Sequence, residues 1–278
     1  MRTQADIESP WLLRFKRKPN ALTRLFCFHC AGGSASAFRS WSARLPQTIE
    51  VIAVQLPGRE GRVKEAFLTR MDDLVRQVIE AMTPYLNTPY VIFGHSFGTL
   101  GGFEVIRELQ RRGARLPFLF VAAGRRAPQL KSPKGPIGSL PDQEFVAALL
   151  RDYGSHLSGV LKSREFREAF VPQIRADFLM SETYRYRDGP RIACPIAAYA
   201  GLEEDDLGAE ELQAWSLHTS SGFHSRRFPG DHFFIETSEE RVIEAIRDQI
   251  DRELSADDER ERHGQKGECH EGISGGIA

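Results

Sequence analysis

The chain has no excess of charge of either sign: 37 Lys and Arg stand against 38 Asp and Glu, a formal net charge of −1. A protein that grips nucleic-acid phosphates carries a basic surplus, so this balance argues against a nucleic-acid partner. No apolar run approaches the ~20 residues of a membrane span. Near the N-terminus, Trp11-Leu12-Leu13 is broken at once by Arg14, Lys16, Arg17 and Lys18, so no signal-peptide core forms. No membrane partner and a cytoplasmic location are therefore expected. Cysteine is scarce, 4 in 278 residues, which is too few for a disulfide framework. Cys27-x-x-Cys30 has metal or redox spacing, but it stands alone, and strand alternation would separate the two thiols; Cys269-His270 lacks partners. No metal site is expected. Internal repeats are missing too. What remains is an ordinary globular composition, 41% hydrophobic and 27% charged. One α/β domain with an insertion can hold this length.

The most informative stretch is Val91 to Leu100. Tyr90 to Phe93 is apolar and partly β-branched, as a central parallel strand requires. Gly94-His95-Ser96-Phe97-Gly98 follows and matches the G-x-S-x-G nucleophile elbow. In such a turn the serine takes a strained conformation that lifts its hydroxyl clear of the sheet, and flanking side chains would clash, hence the glycines. A helix is predicted from Leu100 to about Arg112. Its amides and dipole point back at the serine, where an oxyanion would form. The plain alternative is a strand-turn-helix crossover in which Ser96 only caps the helix.

Along the chain, residues 1–21 read as an irregular leader. Strands are predicted at 25–28, 50–54, 90–93, 118–123, 195–200 and 223–228. Helices are predicted at about 35–45, 71–86, 100–112, 142–150, 163–184 and 238–254. The alternation implies a mostly parallel, doubly wound α/β sheet. Between Gly124 and Arg191 no strand is convincing, and prolines punctuate the start of that stretch. It reads as a helical lid at about 136–186, with Phe166, Phe170, Ile174 and Phe178 on one face. The domain proper spans 22–254. Residues 255–278, charged and then Gly-rich, are expected to be disordered.

A serine hydroxyl needs a base to take its proton, and hydrolases of this kind place the partners in the order Ser, acid, His. Phe228-Pro229-Gly230-Asp231-His232 sets His232 in a tight loop after the last strand, where a base can reach the sheet's carboxyl edge. His95 points away from Ser96, because adjacent elbow side chains diverge. The acid should lie after the 195–200 strand, in Gly201-Leu202-Glu203-Glu204-Asp205-Asp206; four adjacent carboxylates leave the residue open. Two amides should form the oxyanion hole, one from Phe97 and one from the turn Ala31-Gly32-Gly33.

Several segments together resemble the external, type II thioesterases of polyketide and nonribosomal peptide synthesis. They are Cys27-Phe28 with Ala31-Gly32-Gly33-Ser34, Gln55-Leu56-Pro57-Gly58-Arg59-Glu60, the elbow, Gly124-Arg125-Arg126-Ala127-Pro128, Ile174-Arg175-Ala176-Asp177-Phe178, and Phe228-Pro229-Gly230 with His232-Phe233-Phe234. The resemblance implies an α/β-hydrolase fold with a helical lid. It implies hydrolysis of acyl groups from the phosphopantetheine arm of acyl or peptidyl carrier domains, without cofactor or metal, by a monomer. Carried over, Ser96 is the nucleophile, His232 the base, and the amides of Ala31 and Phe97 the oxyanion hole. The family's acid sits three residues after a glycine, which is Glu204 counted from Gly201, but it is usually an aspartate. That narrowly favours Asp205, with Glu204 the alternative. The turn reads His29-Cys30 where relatives often have Pro-His. Other readings are a small-ester carboxylesterase or lipase, and a non-catalytic module that binds carrier domains.

Overall fold

A computed structural model describes residues 9–159, 161 and 163–268 of the chain. Seven strands form one sheet in the order β1-β3-β2-β4-β5-β6-β7. They are β1 (Leu12–Leu13), β2 (Thr23–Phe28), β3 (Ile49–Val54), β4 (Tyr90–His95), β5 (Leu119–Ala123), β6 (Ile196–Gly201) and β7 (Phe223–Phe228). All neighbours pair in parallel except β1, which runs antiparallel to β3.

The inner strands read as unbroken apolar runs because both faces are covered. Alternation divides each strand between two cores. Phe26, Ile92 and Phe120 face one core with α2 (Met71–Met82) and α3 (Phe97–Arg111). Leu25, Cys27, Val91, Phe93 and Val121 face the other, with α1 (Arg39–Arg44) and α8 (Glu239–Glu268). Helices on both faces make the sheet doubly wound, as the alternating pattern predicts.

Between β5 and β6 lie α4 (Asp142–Leu157) and α5 (Arg164–Thr183), with no strand among the described residues of that stretch. They share a separate apolar cluster containing Ile137, Phe145, Leu149, Leu161 and Ile174. The expected single stripe is divided here. Ile174 is buried and Phe170 and Phe178 are half-buried, but Phe166 is 51% exposed and stacks on Phe170. Two short helices complete the chain, α6 (Ala209–Gln213) and α7 (Phe234–Thr237).

Three segments differ from the sequence reading. Part of the expected leader is ordered: Trp11 and Leu12 are buried and Leu12-Leu13 pairs with β3. Lys18 is buried as well, its Nζ donating to the carbonyls of Leu45, Pro46 and Ile49 at 2.9–3.1 Å. A two-residue strand carries no periodicity to detect. The segment after β6, read as loop, forms α6 and a following 3₁₀ turn, Ala214–His218, whose Trp215 is fully buried. The last helix continues through Glu268, so 255–268 is helical where disorder was expected. Its apolar stripe ends at Leu254, but no glycine or proline interrupts the chain before Gly264. Residues 1–8 and 269–278 lie outside the described residues.

Candidate active site

Ser96 stands between β4 and α3 with φ 55° and ψ −112°, one of two non-glycine residues at positive φ among those described. Such a backbone costs on the order of 1–3 kcal/mol and persists only where its surroundings hold it. Here the Ser96 amide donates to the Ala123 carbonyl at 2.8 Å, and the Thr99 hydroxyl bonds the carbonyls of Gly94 and Ala123 at 2.7 and 2.8 Å. The flanking glycines have separate causes. A Cβ at Gly94 would lie 2.5 Å from the Gly98 carbonyl oxygen and Thr99 backbone, and one at Gly98 would collide with the carbonyls of Phe28 and His29. The second collision shows how tightly the start of α3 sits against the end of β2.

The Ser96 hydroxyl lies 2.9 Å from His232 Nε2, and the other ring nitrogen, Nδ1, lies 2.5 Å from Glu204 Oε1. Nδ1–H donating to the carboxylate leaves Nε2 free to accept the serine proton. The structure therefore joins Ser96, His232 and Glu204 in one line. Asp205, the narrowly favoured acid, is exposed, whereas Glu204 is buried. The backbone decides this. Leu202 N–H donates to the Phe228 carbonyl and Glu203 N–H to the Gly230 carbonyl, which extends the β6–β7 pairing by two residues. Glu204 is the next residue and turns in toward His232. Asp206 faces away, paired with Lys134 at 3.3 Å.

His95 is not placed to act on Ser96. It is fully buried, and its Nε2–H donates 2.8 Å to the His232 carbonyl, so it steadies the loop that carries His232. Burial first, then the neighbouring His232, pushes its pKa down to about 3; burial and the Arg59 charge push that of His29 down to about 4. Both rings stay neutral in the fold, whereas the unfolded chain protonates them below about 6.5. Their contribution to stability is thus complete above that pH and is lost as pH falls toward 4 and then 3. The melting temperature should fall steeply between pH 6.5 and 4, each histidine adding on the order of 1.4 kcal/mol per pH unit. The drop should be shallower in His95→Gln; equal slopes in the two proteins would remove His95 as a cause.

The turn after β2 and the start of α3 hold the two amides expected to receive an oxyanion, Ala31 and Phe97. Neither amide has a hydrogen-bond partner among the described residues. Around the turn lie residues whose motifs stood out in sequence without a role. Arg59 and Asp177 form a bidentate pair, 2.8 and 2.9 Å, with side chains only 2% and 1% exposed. Asp177 also accepts the Gly32 N–H at 2.8 Å, Arg59 donates to the Gly33 carbonyl at 3.0 Å, and Gln173 donates to the Gly32 carbonyl at 2.5 Å. The contacts made by Asp177 and Gln173 span more than 100 residues, so only co-occurrence of the two motifs could have signalled them.

Above the histidine, α4 breaks at Tyr153, where φ is −140°, and the Tyr153 ring stands 5.3 Å from that of His232. Burial raises the Tyr153 phenol above its usual range. His156 of the same helix stacks on Phe233 at 4.0 Å. The inserted helices therefore border the reactive atoms directly.

Known proteins resemble this chain over most of its length. A family model described as a thioesterase domain matches residues 23–250. Linear gramicidin dehydrogenase LgrE of Brevibacillus parabrevis is 37% identical over 240 residues, 86% of this chain and 91% of that protein. Gramicidin S biosynthesis protein GrsT of Aneurinibacillus migulanus is 36% identical over 240 residues, covering 86% and 93%. Among solved structures, the type II thioesterase BorB from the borrelidin biosynthetic cluster superposes with a TM-score of 0.77 at 32% identity, over 87% of this chain and 98% of that one.

Proposed function

This chain belongs to the thioesterase family, and on that premise we propose that it hydrolyses acyl groups from the phosphopantetheine arm of carrier domains, clearing stalled or aberrant chains in polyketide or nonribosomal peptide synthesis. Its fold is the α/β-hydrolase fold. Support for the pathway comes from GrsT and BorB, whose names place them in gramicidin S and borrelidin biosynthesis. The observation that carries the chemistry is the line of hydrogen bonds from Ser96 through His232 to Glu204 at a strained elbow. A nucleophile, base and acid so joined suit acyl transfer.

In this reading Ser96 Oγ attacks the thioester carbonyl while His232 Nε2 takes its proton. Glu204 holds the imidazole in the productive tautomer and stabilises the imidazolium. The amides of Ala31 and Phe97 receive the oxyanion. As the tetrahedral intermediate collapses, the C–S bond breaks and His232 gives its proton to the departing thiol. Water, deprotonated by His232, then attacks the acyl-serine, and the acid leaves as Ser96 regains its proton. The scheme uses no metal or cofactor. The enzyme acts as a cytoplasmic monomer, its lid formed by the inserted helices.

Side-by-side assays separate this from the other readings. We expect acyl groups on a phosphopantetheinylated carrier domain to be hydrolysed with higher kcat/KM than p-nitrophenyl esters of the same chain. The reverse order would indicate a small-ester esterase. Carrier binding without turnover would indicate a docking module.

A further inference from the structure

Of the two amides of the proposed oxyanion hole, Phe97 is set by the start of α3, and the other is that of Ala31. It shares a planar trans peptide with the Cys30 carbonyl, and in such a unit the N–H and C=O point in opposite directions. Fixing the Cys30 carbonyl therefore fixes the Ala31 N–H. Two donors hold that carbonyl: His29 Nδ1–H at 2.8 Å, and the Gly33 amide at 3.0 Å. Gly33 cannot hold it unless Gly32 and Gly33 are themselves held.

The grip on those two glycines comes from α5 and from the loop after β3. Asp177 takes the Gly32 N–H, Gln173 donates to the Gly32 carbonyl and, at 3.2 Å, to the Gly33 carbonyl, and Arg59 donates to the Gly33 carbonyl while pairing with Asp177. Gly32 has φ 73°, a conformation that glycine adopts without strain, and its missing Cβ leaves the space that Ile174 of α5 fills. The seating of one turn of α5, Gln173 to Asp177, is thus wired to the peptide that presents Ala31.

We propose that Gln173 and Asp177, with Arg59 behind them, are positioning residues that set the oxyanion hole from the inserted helix α5, so that the Ala31 amide is aimed only while this turn of α5 is seated on the Ala31–Gly33 loop. This rests on the thioesterase reading of the site. The same contacts limit how the lid can open. The ion pair and its hydrogen bonds pin α5 at this turn, and removing one partner of a buried pair is strongly destabilising. Any opening to admit a substrate must come from α4 or the first turns of α5, whose apolar contacts lie in their own cluster.

The test uses Gln173→Leu, which leaves the ion pair in place, and Asp177→Asn, which keeps an acceptor for Gly32 but removes the charge. Each is compared with wild type on an acetyl thioester of N-acetylcysteamine and with a trifluoromethyl ketone analogue, whose adduct with Ser96 places an oxyanion in the hole. Melting temperature and fluorophosphonate titration count the folded, competent sites. Wild-type hydrolysis and Ser96 labelling test the thioesterase reading; the ratio of variant to wild type tests this inference. We expect kcat per titrated site to fall roughly 10- to 10²-fold, short of the ~10²–10³ lost with a whole donor. KM should stay within about twofold, and the ketone Ki should rise in parallel with the loss in kcat/KM. Unchanged kcat and Ki in folded Gln173→Leu would overturn the proposal, as would a rise in KM alone, which would make α5 a wall of the substrate path and no more. Should Asp177→Asn not fold, Gln173→Leu decides the matter alone.

Discussion

Ser96→Ala is expected to lower kcat for thioester hydrolysis by about 10⁶ and to leave the fold intact. The size follows from losing the atom that carries the acyl group; neither histidine nor acid can act without it. The intact fold follows from what holds the elbow. The serine backbone is pinned by its own amide to the Ala123 carbonyl and by Thr99, and the hydroxyl contributes only its bond to His232. Alanine keeps the Cβ and loses only that bond. A fluorophosphonate should label the wild type at Ser96 and nothing in the variant. Labelling that survives the substitution would place the nucleophile elsewhere, and a large drop in melting temperature would mean that the elbow depends on the hydroxyl.

Glu204→Gln is expected to cost about 10⁴ in kcat, while Asp205→Ala and Asp206→Ala change it little. Glutamine has nearly the same size as glutamate, so packing around the buried side chain is kept. Its amide can donate to His232 Nδ1, which favours the tautomer with the proton on Nε2. That ring cannot accept from Ser96. Asp205 is exposed and Asp206 is engaged with Lys134, so neither can restore the missing acceptor. Steady-state kinetics of the three variants decide the assignment. Equal mild losses in all three would put the acid outside this loop, with Asp231 the next residue to test.

Much of this was legible in the sequence because the signals are local. The strand-turn-helix around Ser96, each inner strand and the loop bearing His232 occupy a few consecutive residues apiece. The acid was legible only as a region. Whether Glu204 or Asp205 faces the imidazole depends on how far β6 stays paired with β7, a matter of one residue that composition cannot fix. The clamp on the Ala31–Gly33 turn lay beyond reach for a different reason. Its two motifs could be seen, but their meeting depends on an insertion folding back over the sheet. Phe166 shows the limit of periodicity: it keeps helical spacing with Ile174 yet is exposed, because the apolar cluster takes up α5 only from Phe170 onward.

The sheet order also has a consequence for how the protein is made. From β2 through β4, β5 and β6 to β7, strands join the growing edge in the order in which they leave the ribosome, β3 and β1 having filled the other side. The contact between Ser96 and His232 closes a separation of 136 residues, and the base arrives with the loop after the last strand. A nascent chain carries Ser96 through 136 of its 278 residues of synthesis before His232 follows. In the proposed mechanism hydrolytic power is therefore acquired late, and a copy truncated before His232 should stay chemically silent toward thioesters.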